Sequence, residues 1–196
     1  MRKLFASTVR CAEESGLAWH GVEFFWADER CVPPTDPESN YRLADEMLFQ
    51  PARISPRCIH RIQGELSAAA AARLAGEELS LIADKRDGAL PILDLVLLGM
   101  GEDGHVASLF PGHSSPALDS NALFVAIDDS PKPPATRVTL GYELIASALE
   151  VWVLASGKGK AAALQGSLLS DGQTPLARVI RKRAVTKIFT DISLEG

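Results

Sequence analysis

Apolar residues along this chain gather in short β-rich runs, separated by stretches with helical spacing. Val22–Ala27 (V-E-F-F-W-A), Cys58–Ile62, Leu123–Ile127, Glu150–Ala155 and Val185–Thr190 read as strands. Ile92–Leu98 (I-L-D-L-V-L-L) is the most apolar run and reads as a buried central strand. Between these lie helical patterns. Ser39 has the character of an N-cap for a helix through Tyr41, Leu43, Met47 and Leu48. Ser67–Asp84 is an Ala-rich amphipathic stretch, and Tyr142–Ala148 and Lys158–Leu169 also read as helices. Pro131–Pro134 marks an exposed loop, and Val138–Leu140 is too short to type. The alternation predicts an α/β fold in three layers, a mostly parallel sheet flanked by helices, as one domain over residues 1–196. Arg2–Glu14 has amphipathic helical spacing with no strand before it, so a β-α unit is missing from the usual pattern.

Composition narrows the classes. Of 196 residues, 46% are hydrophobic and 23% charged, as in a globular protein with a substantial core. A net charge of −5 argues against nucleic acid or an acidic membrane surface as partner, while a cleft can still focus a local field on a small anion. Three cysteines without a C-x-x-C pair argue against a disulfide framework or a thiolate zinc site. The start lacks a signal-peptide pattern, and no run approaches the ~18 apolar residues of a membrane span. The cytoplasm is the expected compartment.

Candidate chemistry begins at Gly99-Met-Gly-Glu-Asp-Gly-His105, directly after the most apolar run. Gly99, Gly101 and Gly104 spell the G-x-G-x-x-G of dinucleotide sites. That fingerprint needs a long helix from its third glycine, and Pro111-Gly112 leaves two turns at most. A nucleotide cofactor is therefore not expected. The alternative is a flexible loop at a strand's carboxyl end, where open α/β sheets bind ligands, carrying an imidazole that accepts a proton near neutral pH. Asp103 supplies a carboxylate to orient His105; the plainer role for His105 is to cap a short helix.

Asp28-Glu29-Arg30 also follows a strand. Arg30 offers a planar fork for a phosphate or a developing oxyanion, Glu29 reads as a solvated or salt-bridging side chain, and most such triplets are charged turns. Asn40 and Arg42 open the next helix, where facing an anion and serving the helix surface compete equally. Ser156-Gly-Lys-Gly-Lys160 joins a strand to a helix, a geometry suited to anions, without Walker A spacing. His20, His60 and His113 lack metal-ligand spacing, so no metal is expected. Ser114-Ser115 is not in a nucleophile elbow, and Trp19, Trp26 and Trp152 are expected in or near the core.

Two of these segments carry a resemblance. Leu98-Gly-Met-Gly-Glu-Asp-Gly-His-Val-Ala-Ser-Leu-Phe-Pro-Gly112 resembles the signature of 6-phosphogluconolactonases. Phe24-Phe-Trp-Ala-Asp-Glu-Arg-Cys-Val-Pro-Pro34, followed by Ser39-Asn-Tyr-Arg42, resembles that family's second signature, and the similarity runs to the last strand. It implies a fold shared with glucosamine-6-phosphate deaminases and ribose-5-phosphate isomerases. It implies hydrolysis of 6-phospho-D-glucono-1,5-lactone in the oxidative pentose phosphate pathway, without organic cofactor or obligatory metal. The resemblance makes His105 the base that activates water and puts Asp28 in the active site, holding His105 or a sugar hydroxyl. It also directs Lys160 to the substrate phosphate and leaves Lys158 exposed. Arg30 or the amides near Gly101 and Gly104 would then meet the tetrahedral oxyanion.

The family normally begins with a strand, a helix and a Ser/Gly-rich loop ending in Thr-Pro, and by resemblance this chain starts just after that loop. The expectation is an N-terminally truncated domain lacking about 30–40 residues, the size of a β-α unit. It would have a weakened phosphate site and an exposed sheet edge open to self-association. Two alternatives stand. One is a glucosamine-6-phosphate deaminase, although Ala107-Ser-Leu-Phe-Pro111 lacks the acid of that family's Ala-Phe-Asn-Glu-Pro and Arg30 stands where its tyrosine is expected. The other is an inactive sugar-phosphate-binding fragment.

Overall fold

The computed structural model describes residues 1–84, 90–113, 117–118 and 120–193; Ser114 and Ser115 lie outside the described residues. Among the described residues eight strands form three ladders. β1 (Phe24–Phe25) and β3 (Ile59–His60) pair in parallel. β4 (Leu95–Gly99), β7 (Glu150–Ala155) and β8 (Lys187–Thr190) form a second parallel ladder. β2 (Asp28–Arg30), β6 (Arg137–Leu140) and β5 (Phe124–Ile127) form an antiparallel one, with β6 in the middle. The fold is thus α/β with mostly parallel pairing and flanking helices.

The antiparallel ladder departs from expectation. Asp28-Glu29-Arg30 is not a charged turn after one strand. It is itself a strand, paired residue for residue with Thr139, Val138 and Arg137. The untyped run Val138–Leu140 is the centre of this ladder, and all four residues of β6 are buried. Such a short run carries too little periodicity to declare itself.

Helix starts follow local chemistry. α1 (Arg2–Ser15) ends at Gly16, whose φ of 65° is a left-handed cap. Ser39 caps α2 (Asn40–Ala44), accepting from the Arg42 amide, and the helix continues through five π-helical residues, Asp45–Phe49, against which α1 packs. Ser67 caps α3 (Ala68–Ile82), which lies on β5 and β6. α4 is Tyr142–Ser147; a 3-10 turn, Lys158–Lys160, leads into α5 (Ala161–Leu168). A helix not predicted from the sequence, α6 (Pro175–Arg181), starts at an ordinary signal, capped by Thr174 and opened by Pro175.

The β4–β7–β8 ladder is buried on one face only. Val96 and Leu98 pair with Val151 and Val153 on the core side, joined by Ala155. Leu95, Leu97, Trp152, Leu154 and Phe189 share the opposite face, where Leu95 is 45% and Phe189 48% exposed. Among the described residues β4 pairs only with β7. The expectation of a buried central strand is not met among the described residues, where β4 pairs on one side and has one wet face; Trp152 is half-buried beside Phe189.

Candidate active site

From β4 the chain enters a closed loop. Met100 and Val106 bridge, the Gly101 N–H donates to the His105 carbonyl at 2.9 Å, and the Gly104 N–H donates to the Gly101 carbonyl at 3.0 Å. Gly104, at φ 80°, presents its carbonyl to the Leu176 amide of α6, and a Cβ there would lie 2.6 Å from the Thr174 methyl. A side chain on Gly101 would enter the His105 ring. Val106, Leu109 and Phe110 are fully buried behind it. The loop is pinned rather than flexible, and residues 105–113 form no helix, so His105 caps none there and the nucleotide reading loses its last support. With both amides spent inside the loop, Gly101 and Gly104 are also poor oxyanion donors.

His105 is half-buried against the Phe110 ring, with centroids 4.7 Å apart. Its Nδ1 meets Asp103 Oδ1 at 2.5 Å, and Lys132 Nζ lies 3.1 Å from Asp103 Oδ2. Burial would raise the Asp103 carboxyl, yet the hydrogen bonds from His105 and Lys132 outweigh it and hold the group at about 2. An ionised carboxylate only accepts, so the shared proton sits on His105 Nδ1 and Nε2 keeps its lone pair. Burial lowers the imidazole's affinity for a second proton; Asp103 opposes this and the Lys132 charge adds to it, with a net lowering. A neutral base oriented by a carboxylate results.

The second motif meets this pair from β2. Asp28 accepts from Ser108 Oγ at 2.7 Å and from Asn40 Nδ2 at 3.3 Å, and its charge is felt at His105. Asp28 therefore stands near the imidazole, while Asp103 is the residue that holds it. Glu29 is neither solvated nor in a salt bridge. At 2% exposure it accepts from the amides of Arg30, Asn40 and Tyr41 and from Ser39 Oγ, fastening the start of α2 to β2. Its alternation within β2 turns it inward and leaves Asp28 and Arg30 on the other side.

Arg30 is partly exposed, donates to the Glu38 carbonyl at 2.6 Å, and has an Nε with no protein partner. Arg42 turns away, to Glu46 at 2.7 Å and the Thr35 carbonyl at 2.9 Å, which favours helix-surface duty. Gly99 ends β4 exposed, opposite Leu154. The Ser156–Lys160 turn offers less to an anion than expected, because Asp191 already accepts from Ser156 Oγ at 2.7 Å and the Gly157 amide at 2.9 Å. Lys160 remains half-buried and within electrostatic reach of Met1, at the start of α1, while Lys158 is exposed. The turn abuts the histidine loop, since a Cβ on Gly159 would collide with Glu102.

Sequence reasoning missed Ser108, Lys132 and Arg137. Lys132 sits in the Pro-rich segment read only as loop. Arg137, at 4% exposure, donates to the carbonyls of Lys132, Pro133 and Pro134 at 2.9–3.0 Å and approaches Ser108 Oγ at 3.5 Å. Among the described residues no group of three or more His, Cys, Asp or Glu side chains is placed to hold a metal. His60 lies between Glu23 and Glu78, each at 2.8 Å, outside this site.

Comparison with known proteins gives this geometry a family. Residues 1–189 match the family described as Glucosamine-6-phosphate isomerases/6-phosphogluconolactonase. The chain is 40% identical over 169 residues to 6-phosphogluconolactonase 3, chloroplastic, of Arabidopsis thaliana, covering 82% of this chain and 51% of that protein. It is 40% identical over 164 residues to 6-phosphogluconolactonase of Mycobacterium tuberculosis, covering 80% and 65%. The chain thus spans between half and two thirds of the length of these relatives. The solved structure of 6-phosphogluconolactonase from Trypanosoma brucei superposes with a TM-score of 0.77 at 28% identity, covering 96% of this chain and 77% of that one. By sequence match and by fold, the chain belongs to the glucosamine-6-phosphate isomerase/6-phosphogluconolactonase family.

Proposed function

We propose that this protein hydrolyses 6-phospho-D-glucono-1,5-lactone to 6-phospho-D-gluconate, a step of the oxidative pentose phosphate pathway, with His105 activating water. The observation that carries this is the Asp103–His105 pair, whose geometry leaves Nε2 free to take a proton. The names of the relatives supply the substrate class. A δ-lactone is an activated ester, so the chemistry needs water aimed at the carbonyl carbon and a base to deprotonate it. Arg30, partly exposed with its Nη1 at Glu38, is the cation for the oxyanion or the phosphate, and Lys160 near the start of α1 is the second phosphate cation. Asp28, held by Ser108 and Asn40, accepts from a sugar hydroxyl.

Glucosamine-6-phosphate deamination is the competing reading, since the family's description includes that branch. Matched from Ala107 to Pro111, that branch's extra acid falls at Phe110, here a buried ring packed against His105. Assaying lactone hydrolysis, corrected for the spontaneous rate, beside ammonia release from glucosamine 6-phosphate separates the two. Hydrolysis without ammonia is expected; ammonia release without hydrolysis would overturn the proposal.

The three cysteines are unpaired, as suits the reducing cytoplasm, and no helix among the described residues is long and apolar enough to cross a membrane. Self-association uses the open edge of β4, where a second copy can continue the ladder.

A further inference from the structure

Lys132 lies far from both sequence signatures, on the connection between β5 and β6, yet its ammonium reaches the catalytic pair. Nζ stands 3.1 Å from Asp103 Oδ2 and 3.2 Å from His105 Nδ1. With the Nδ1 proton committed to Asp103, that nitrogen cannot accept from an ammonium, so the bond Lys132 makes is to Oδ2. Asp103 is then gripped on both oxygens, by His105 on one and Lys132 on the other.

The placement is built rather than incidental. A lysine on a surface loop would ordinarily sweep many rotamers. Here the backbone carbonyls of Lys132, Pro133 and Pro134 are all taken by the guanidinium of Arg137, a 4% exposed residue of β6. Ser130 adds to this, accepting from the Lys132 amide at 3.3 Å and donating to the Lys132 carbonyl at 2.9 Å. Arg137 also approaches Ser108, which holds Asp28. One buried arginine therefore ties the β5–β6 loop to β2's side of the site.

We propose that Lys132, fixed by Arg137, is a positioning residue of the catalytic pair: it grips the second oxygen of the Asp103 carboxylate, and its charge keeps the His105 ring neutral. The charged groups facing His105 are Asp103 from its own loop, Lys132 from the β5–β6 connection and Asp28 from β2. Asp103 and Asp28 both favour the imidazolium, and Lys132 is the cation that opposes them. Without it, the two carboxylates act on the ring unopposed, while Asp103 Oδ1 keeps its contacts with the His105 amide and Nδ1. The inference rests on the reading of His105 as the base, and its test does not depend on that reading.

The test compares Lys132→Met and Lys132→Arg with the parent protein, each first shown to be folded by circular dichroism. NMR of the ¹⁵N-labelled His105 ring reports its protonation midpoint and tautomer without any substrate. The midpoint is expected to move to higher pH in K132M, with the neutral ring still protonated on Nδ1, and to stay close to the parent value in K132R. With lactone, kcat in K132M falls while KM changes little, and the acidic limb of the pH profile moves up with the ring's midpoint. The fall is smaller than the ~10²–10⁴-fold expected for removing the base itself. A His105 midpoint unchanged in K132M would overturn the proposal. So would a K132M effect confined to KM, which would make Lys132 a substrate contact. If the ring responds as expected and the parent protein hydrolyses no lactone, the functional proposal fails and the positioning role stands.

Discussion

His105 is poised between opposing influences, and their balance is measurable. Burial comes first in lowering its affinity for a proton, Asp103 pulls the other way, and Lys132 restores the lowering. The reactive form is the neutral ring, so activity is lost as the ring protonates. Because the midpoint lies below the ordinary histidine value of about 6.5, kcat/KM should rise through a limb below that pH and be flat across neutrality. The same lowering has a stability consequence. The unfolded chain takes up the proton before the folded one does, so stability is fully present above about pH 6.5 and declines as pH falls through the folded-state midpoint. Asp103, held at about 2, adds a second decline between its ordinary value near 3.8 and 2. A pH–rate profile with its limb at or above 6.5 would contradict this picture. His105 and Asp103 were legible in the sequence because they are two residues apart, in a glycine-marked loop at a strand end. Lys132 was not, because it meets His105 across 27 residues of chain and its proline-rich surroundings say only that a loop is there.

At the scale of elements, the joint between β2 and α2 decides where Asp28 stands. Glu29 takes the free amides at the start of α2 and the Ser39 hydroxyl, and Asn40, the first residue of that helix, reaches back to Asp28. Burial pushes the Glu29 carboxyl up, and these donors oppose it. Glu29→Gln puts an NH₂ group among N–H donors that need acceptors. It should cost about 1–3 kcal/mol, the usual penalty for a buried hydrogen-bonding group left without its partner. Urea unfolding of the variant checks this; an unchanged midpoint would mean Glu29 is not the fastening. This joint was the least legible part of the site. A three-residue strand has no periodicity to display, and an acid beside an arginine in sequence looks solvated until strand alternation turns it into the interior. The helices with serine caps were read correctly because their signals lie within a few neighbouring residues, at Ser39 and Ser67.

In the molecule as a whole, the α/β class was legible from the spacing of apolar runs, while the division into three ladders was not. Strand pairing depends on contacts between distant segments, and the apolar run at β4 looked the same as one buried on both faces. The proposed self-association through the β4 edge has the exposed Leu95 beside it. Sedimentation velocity should show the weight-average size rising with concentration, and Leu95→Glu should reduce that rise; a monomer at all concentrations would remove the β4 edge as an interface. The central claim is that the pinned loop presents His105 as the base for lactone hydrolysis, within a chain shorter than its relatives. The direct measurement is hydrolysis of 6-phospho-D-glucono-1,5-lactone above the spontaneous rate, by the parent protein and by a folded His105→Gln variant. The account predicts clear hydrolysis by the parent and a loss of about 10²–10⁴-fold in the variant. Equal rates in the two proteins would contradict it.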